Sequence, residues 1–388
     1  MKTRLEGIHT HYSDTQTVFL ISSPLQALAC WLILKDDNFI KQSNIIVFTE
    51  GWYELPAILG VNQIQLENTR KNKKNIKSNL EVITSNIDLK CELWVSELLW
   101  PMNNAIYSNL IARNKIKTVN FLDEGTVMYF NLTHSDYKYI RELLKSFILK
   151  FYFKYYTFPS RKTFSESEED GKIAAFNPEL IDKFKNVEKI LINHDIVDEF
   201  GDSFLKKEHK IEISTINNSK EAVLVLSQPY YRVMKADRYN SILIDLKCYL
   251  NYRGVDEIFI KLHPSESLED YKKYYQHLGF KLVFSGLRSI PAEILLSKLN
   301  KNVKVASFGT SAFINARKFG FFGEMIVYGL EQIVLYSIPF QAKKQVIFLT
   351  DLYKKSGCTV VEFISNNSEV PHEMMTIANT KQKYDIFK

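Results

Sequence analysis

Cysteine is scarce in this 388-residue chain, limited to Cys30, Cys91, Cys248 and Cys358. None are paired at C-x-x-C spacing, which excludes a zinc ribbon or knuckle and a disulfide framework. Few, scattered thiols are the pattern of buried cysteines in a reducing compartment, so the expected location is the cytoplasm. Long apolar runs are missing as well. The nearest approach, Val18 to Leu34, is broken by Ser22, Ser23, Pro24 and Gln26 and follows a polar run from His9 to Thr17. A spanning helix needs about 20 apolar residues, and a signal peptide would run from a basic start into an unbroken apolar core, so no targeting segment is expected. Charge of one sign is only mildly in excess, with 50 Lys and Arg against 44 Asp and Glu, a net +6. Such a field suits an anionic ligand or surface. Without a zinc knuckle or an aromatic RNP motif, nucleic acid is not an expected partner. No internal repeat is found.

What is present is an ordinary globular composition, 46% hydrophobic and 24% charged, enough for a sizeable core. Short β-branched runs alternate with longer helical patterns. Strands are expected at 17–22, 44–49, 92–96, 118–122 and 189–193, with helices at 24–34 and 105–113. A polar stretch, 195–220, reads as a linker. A second series follows, with strands at 222–227, 257–262, 281–284, 303–307, 325–328 and 359–363 and helices at 235–253 and 311–319. The alternation predicts βαβ units and parallel sheets, divided into domains at 1–205 and 206–388.

In open α/β sheets, ligands sit outside the carboxyl ends of the strands, so polar residues just after each expected strand are the candidate site. There are five such clusters: Ser23-Pro24-Leu25-Gln26, Asp123-Glu124-Gly125-Thr126, Ser227-Gln228-Pro229, Lys261-Leu262-His263-Pro264 and Gly309-Thr310-Ser311. The adjacent acids fit a general base whose pKa is raised by its neighbour, and equally a plain turn. Pro264 holds His263 extended at its strand mouth, where an imidazole can face a phosphate oxygen or simply cap the strand. Thr310 and Ser311 open a helix, as hydroxyls of an anion site or as an N-cap. Ser23 before Pro24 also fits simple capping.

Taken together and in order, Asp-Glu-Gly, then His-Pro, then Thr-Ser resemble the bacterial sialyltransferases, both the lipooligosaccharide enzymes of glycosyltransferase family 52 and the capsular polysialyltransferases. The resemblance implies a GT-B fold, two Rossmann-like domains facing across a cleft. It also implies a CMP-sialic acid donor and a surface-glycan acceptor in lipooligosaccharide, O-antigen or capsule. On this chain it implies Glu124 as the general base, Asp123 tuning or positioning it, and His263 on the CMP phosphate as acid or electrostatic stabiliser. Lys261 and Pro264 flank that histidine, and Gly309, Thr310 and Ser311 hold the phosphate. Glu293, in the segment from Ser289 to Glu293, is implied to accept the ribose hydroxyls, though a first-turn Glu is also favoured by the helix dipole. Ser23 and Gln26 are implied to face the donor sugar, with Gln228 on the donor side. The departures are small: Thr-Ser replaces Ser-Ser, and the base is Glu, as in the polysialyltransferases.

The acceptor side is read from Trp52, Trp100, Asn103 and Asn104, types that suit sugar stacking and hydroxyl recognition and equally ordinary packing and capping. Residues 137–162 interleave aromatics and aliphatics with Lys138, Arg141, Lys145, Lys150, Lys154, Arg161 and Lys162, and hold no acid after Glu142. That pattern fits peripheral membrane contact or a core helix with snorkelling lysines. A homodimer stays open, as do three rival readings: a polysialyltransferase elongating capsule, a Kdo-type CMP-sugar transferase and a non-catalytic glycan-binding subunit. The chain contains no D-x-D sequence, and a single phosphate needs less neutralisation than a diphosphate, so no metal cofactor is expected. Activity is accordingly expected to be complete in EDTA, and a strict magnesium requirement restored by titration would overturn that expectation.

Overall fold

The structure, a computed structural model, describes residues 15–36, 44–50, 55–69, 72, 74–98, 100–129, 146–151, 153, 171–181, 187–219, 221–286, 290–337 and 342–363. Trp52, Ser289 and most of the segment 137–162 lie outside them. Of that segment, residues 146–151 are helical, with Phe147, Ile148 and Phe151 exposed. Among the described residues no helix is long and apolar enough to cross a membrane.

The chain folds as two compact units, 1–193 and 194–388. In the first, β1 (Thr15–Ile21), β2 (Ile45–Glu50), β3 (Val61–Leu66), β4 (Lys90–Val95), β5 (Ile116–Leu122), β6 (Lys172–Ala175) and β7 (Glu188–Leu191) form one sheet in the order β3-β2-β1-β4-β5-β6-β7. Every pairing in it is parallel. Parallel strands are covered on both faces and so read as continuous apolar runs, as Val18–Ile21 and Ile45–Phe48 do, all buried. Around them run α1 (Pro24–Lys35), α2 (Asn75–Ser85), α3 (Pro101–Ala112) and the single turn α4 (Thr126–Tyr129). Helix α1 begins where it does because Pro24 at N1 has no N–H to lose and the Ser23 hydroxyl accepts from the Gln26 N–H at 3.3 Å.

The second unit repeats the plan. Its helices are α5 (Val197–Phe204), α6 (Lys207–Asn218), α7 (Ala236–Tyr252), α8 (Leu268–Tyr274), α9 (Ala292–Ser297), α10 (Ala312–Asn315), α11 (Leu330–Ser337) and α12 (Ala342–Lys355). Strands β8 (Ala222–Leu226), β9 (Glu257–Lys261), β10 (Lys281–Leu282), β11 (Lys304–Ser307), β12 (Met325–Tyr328) and β13 (Thr359–Val361) form a sheet ordered β10-β9-β8-β11-β12-β13. All of these pairings are parallel too. Its core packs Val223, Val225, Leu243, Leu246 and Ile260 with Tyr239, Tyr275 and Tyr328.

The boundary lies earlier than the sequence suggests, after Asn193 rather than after residue 205. Residues 197–204 are helical and packed on α9: a Cβ on Gly201 would stand 2.9 Å from Ile294 Cγ2, and Lys298 Nζ lies 2.6 Å from Asp198 Oδ1. The expected linker is likewise structured. Helix α6 buries only His209 and Ile216, which leaves its sequence polar, yet Asn217 exchanges hydrogen bonds with the Lys298 carbonyl and the Asn300 N–H at 3.1 and 2.8 Å.

Each sheet reverses strand order once beside its first strand, at β1/β4 and at β8/β11. The chain connections diverge there and open a crevice at the carboxyl edge. All five polar clusters sit at carboxyl ends: after β1, β5, β8, β9 and β11.

Gly171 tests the close approach that seats β6 beside β5. A Cβ at this position would overlap the Val119 carbonyl, a backbone group that cannot move aside. Gly171→Ala is expected to cost about 1–3 kcal/mol through overpacking and to lower the melting temperature by several degrees. An unchanged melting curve would show that this strand junction has slack.

Candidate active site

In the first unit the Asp-Glu-Gly loop leaves β5 with its two acids in opposite environments. Asp123 is 0% exposed. Its carboxyl accepts from the Gly125 N–H at 2.7 Å, the Tyr129 hydroxyl at 2.6 Å and the Phe176 N–H at 3.1 Å. Burial pushes its pKa up, and these three donors pull it back. It ties the ends of β5 and β6 together and fixes the loop, which needs Gly125 because φ is +75° there. Glu124 is half-buried and turned toward α1. The Gln26 Nε2 donates to Glu124 Oε2. The Gln26 Oε1 accepts from Ser22 N–H at 2.7 Å and Ser22 Oγ at 3.2 Å, and that pair of donors sets which way the amide points.

The structure therefore gives Ser23 and Gln26 specific local partners: Ser23 caps α1, and the buried Gln26 connects the end of β1 to Glu124. The acceptor candidates fare differently. Trp100 is half-buried at the N-terminus of α3. Asn103 and Asn104 are buried, Asn103 donating to the Glu97 carbonyl at 2.9 Å and Asn104 accepting from Ser108 Oγ at 3.1 Å. Neither amide is presented at the surface, because the first turn of α3 turns these residues inward.

In the second unit the His-Pro turn leaves β9. The His263 N–H donates to Ser227 Oγ at 2.7 Å and to Glu266 Oε2 at 2.9 Å. The His263 ring accepts, at Nδ1, from the Ser265 N–H at 3.2 Å, with Ser265 Oγ 2.8 Å away. A backbone N–H can only donate, so the ring proton of the neutral imidazole sits on Nε2, which becomes a donor. Behind this turn Lys261 is 4% exposed. Burial lowers its pKa to about 8, against the pull of the Glu293 and Glu266 carboxyls. Glu293, buried in the first turn of α9, thus faces the lysine charge.

Gln228 follows β8, its carbonyl accepting from the Tyr239 hydroxyl at 2.9 Å. After β11, Gly309 adopts φ +123°, where side chains are strained, and Tyr353 Oη would lie 3.4 Å from a Cβ. The Thr310 hydroxyl accepts from the Ala312 N–H at 3.3 Å, whereas the Ser311 side chain makes no capping bond. Ser227, Gln228, Lys261, His263 and Glu266 gather along neighbouring β8 and β9, with Thr310 and Ser311 following β11, the other neighbour of β8. Among the described residues no group of three His, Cys, Asp or Glu could hold a metal ion.

Sequence reasoning missed Glu266, Tyr239, Tyr275 and Tyr129. Glu266 had one available signal, a carboxylate three residues after a histidine at a strand exit, in reach of that histidine's own N–H. The tyrosines carried none, because their partners are 6 to 36 residues away.

Residues 17–323 match the family described as alpha-2,8-polysialyltransferase (POLYST). No curated protein sequence matches significantly. Among solved structures, the chain resembles a protein from Listeria monocytogenes described as a UDP-N-acetylglucosamine 2-epimerase, with a TM-score of 0.50 and 9% identity over 88% of this chain and 90% of that one. It also resembles a sialyltransferase from Photobacterium damsela, with a TM-score of 0.47 and 11% identity over 89% of this chain and 81% of that one. The first likeness is one of fold, two Rossmann-like α/β units of the GT-B type. The family match spans both sheets as far as residue 323, from β1 through the Asp-Glu-Gly, His-Pro and Thr-Ser clusters, and on that ground the chain belongs to the alpha-2,8-polysialyltransferase family, a family of glycosyltransferases.

Proposed function

We propose that this chain transfers sialic acid from CMP-sialic acid to a hydroxyl of a surface glycan, with inversion at the anomeric carbon. Family membership favours a sialic acid hydroxyl as the acceptor, and hence chain elongation. Two separate observations support the reading: in the first unit, a restrained, half-buried Glu124 at the carboxyl edge of its sheet, and in the second, a half-buried His263 at the carboxyl edge of its own sheet, its Nδ1 accepting from the Ser265 N–H.

In the reaction the bond between the anomeric carbon and the phosphate oxygen breaks, and its electron pair leaves on CMP. Glu124 takes the proton from the acceptor hydroxyl, whose oxygen forms the new bond on the opposite face. Gln26 holds Glu124 by one carboxylate oxygen and so sets its direction. Negative charge grows on the departing phosphate. His263 Nε2–H, the hydroxyls of Thr310 and Ser311 and the Lys261 charge behind the turn stabilise it. With a pKa of about 8, Lys261 is mostly protonated at neutral pH. Glu293 serves the ribose hydroxyls, with that same lysine as its charged neighbour. A metal has no part in these steps.

Glu124→Gln is expected to lower turnover by roughly 10²–10⁴, the usual cost of losing a general base, while CMP affinity by calorimetry is unchanged. Gln26→Ala, which frees Glu124 without removing it, is expected to cost less, on the order of tenfold to a hundredfold in kcat. Near-normal turnover in Glu124→Gln rules this residue out as the base. Products from CMP-sialic acid and an acceptor panel, read by mass spectrometry, test the donor; transfer from CMP-Kdo alone, or no CMP release at all, would sink the reading.

His263→Ala is expected to lower both turnover and CMP affinity, because the same Nε2–H contact operates in ground and transition states. Unchanged affinity together with unchanged turnover would place His263 outside the site.

A further inference from the structure

The His263 turn rests on a buried polar cluster whose protons can be counted. Glu266 is 1% exposed. Its Oε2 accepts from the His263 N–H, and from the Ser227 hydroxyl on the neighbouring strand end. Its Oε1 begins a chain of close oxygen contacts running into the core. Tyr275 Oη lies 2.8 Å from Glu266 Oε1, Tyr239 Oη lies 2.5 Å from Tyr275 Oη, and Tyr239 Oη lies 2.9 Å from the Gln228 carbonyl oxygen.

Each of these three contacts requires one proton between its oxygens. The two phenols supply two, and the Gln228 carbonyl supplies none. With an ionised Glu266, one contact would set two oxygens against each other with no hydrogen between them, in a core where an unmade hydrogen bond is costly. With a protonated Glu266 the chain closes in one direction: Glu266 donates to Tyr275, Tyr275 to Tyr239, and Tyr239 to the Gln228 carbonyl. Both ends of the chain belong to the candidate donor site, the His263 turn at one and Gln228 at the other.

We infer that Glu266 is a positioning residue for His263, held as the neutral carboxylic acid and locking the His263 and Gln228 loops into one unit through Tyr275 and Tyr239. This rests on the reading of His263 as the group that meets the CMP phosphate. The surrounding charges are compatible with it. Burial, with Asp270 as a nearby like charge, pushes the Glu266 carboxyl up, while Ser227, the His263 N–H and Tyr275 pull it down. Of the nearby cations, Lys261 feels Glu293 more strongly than Glu266, and Arg232 donates to the Ser265 carbonyl and interacts with Asp270. Neutrality also has a functional consequence. An ionised carboxylate bonded to the His263 backbone would oppose the negative charge that grows on the leaving phosphate, and a carboxylic acid gives the same geometry without that opposition.

The experiment compares Glu266→Gln with Glu266→Ala, and His263→Ala in parallel. A Gln side chain reproduces the neutral acid, its amide N–H donating to Tyr275 and its carbonyl accepting from His263 and Ser227. Turnover and CMP affinity within about twofold of wild type are expected for Glu266→Gln, against a loss of roughly tenfold or more for Glu266→Ala, where the turn is released. Should Glu266→Ala not fold, Ser227→Ala, which removes one of the two acceptors of the His263 N–H, is expected to show a smaller loss in kcat. The infrared difference spectrum of wild type minus Glu266→Gln is expected to contain a protonated-carboxyl band, a signal independent of activity. Three results overturn the inference: Glu266→Gln as impaired as Glu266→Ala, no carboxyl band in the difference spectrum, or wild-type turnover in folded Glu266→Ala or Ser227→Ala. Wild-type turnover in His263→Ala instead removes the underlying site reading and is distinguishable from all three.

Discussion

Backbone N–H groups at the carboxyl ends of parallel strands are the constraint on which this structure turns. Where a strand stops, the ladder stops supplying acceptors, and a buried N–H without one is expensive. Each unit meets the problem with a buried acid. In the first, Asp123 accepts from the Gly125 and Phe176 N–H groups and the Tyr129 hydroxyl. In the second, Glu266 meets the His263 N–H, the Ser227 hydroxyl and the Tyr275 hydroxyl. The two constellations are alike in kind: a dehydrated carboxyl, main-chain N–H groups of a strand exit, and a tyrosine from the following helical segment.

This arrangement separates the groups that build the edge from the groups that face out of it. Asp123 is buried and its neighbour Glu124 is half-buried, and Glu266 is buried while His263 is half-buried. A residue chosen for chemistry needs a defined direction, and here direction comes from a neighbour rather than from its own packing. Gln26 does this for Glu124 across 98 residues of sequence. Ser265 does it for the His263 ring across two. Removing a buried carboxyl leaves its donors unpaired at about 1–3 kcal/mol, so substitutions at Asp123 report on fold and chemistry together. Under the proposed reaction, substitutions at Glu124 and His263 report chiefly on chemistry.

Legibility in the sequence followed burial. Strands covered on both faces, such as Val18–Ile21 and Ala222–Leu226, are unbroken apolar runs and were placed to within a residue or two, as was helix α1 with its Ser-Pro start. Strand β3 escaped because it lies at the sheet edge and carries Asn62, Gln63 and Gln65 on a half-exposed surface. Strand β6 escaped because it has only four residues, Lys172–Ala175. Helix α6 looked like a linker because it is held by Asn217 hydrogen bonds more than by an apolar stripe. The five polar clusters were legible because strand ends are, and each stands at a carboxyl edge as expected. The roles of Gln26 and Glu266 were not, since both depend on contacts that only the tertiary fold creates. Asn103 and Asn104 show the converse: polar residue types give no hint that α3 turns them inward.

For the reaction proposed above, the charge around the His-Pro turn has a further consequence. Lys261 is the buried cation there, with Glu293 against it inside the fold, while Arg232 donates to the Ser265 carbonyl and offsets Asp270 on the outer side. If Glu266 is neutral as inferred, Lys261 is offset by Glu293 and Arg232 by Asp270, and in the proposed site a phosphate would meet chiefly dipoles: the His263 Nε2–H and the hydroxyls of Thr310 and Ser311. Fixed dipoles stabilise charge as it develops, because they need no reorganisation at the moment of reaction. A strong net positive charge would act on the anion equally before and after the step, and uniform binding of that kind leaves kcat unimproved. It would also slow release of the anionic product. Under the reaction proposed above, an enzyme that repeats the transfer along a growing chain must discharge CMP at every cycle. Dipolar donors suit that demand better than a cluster of exposed lysines would.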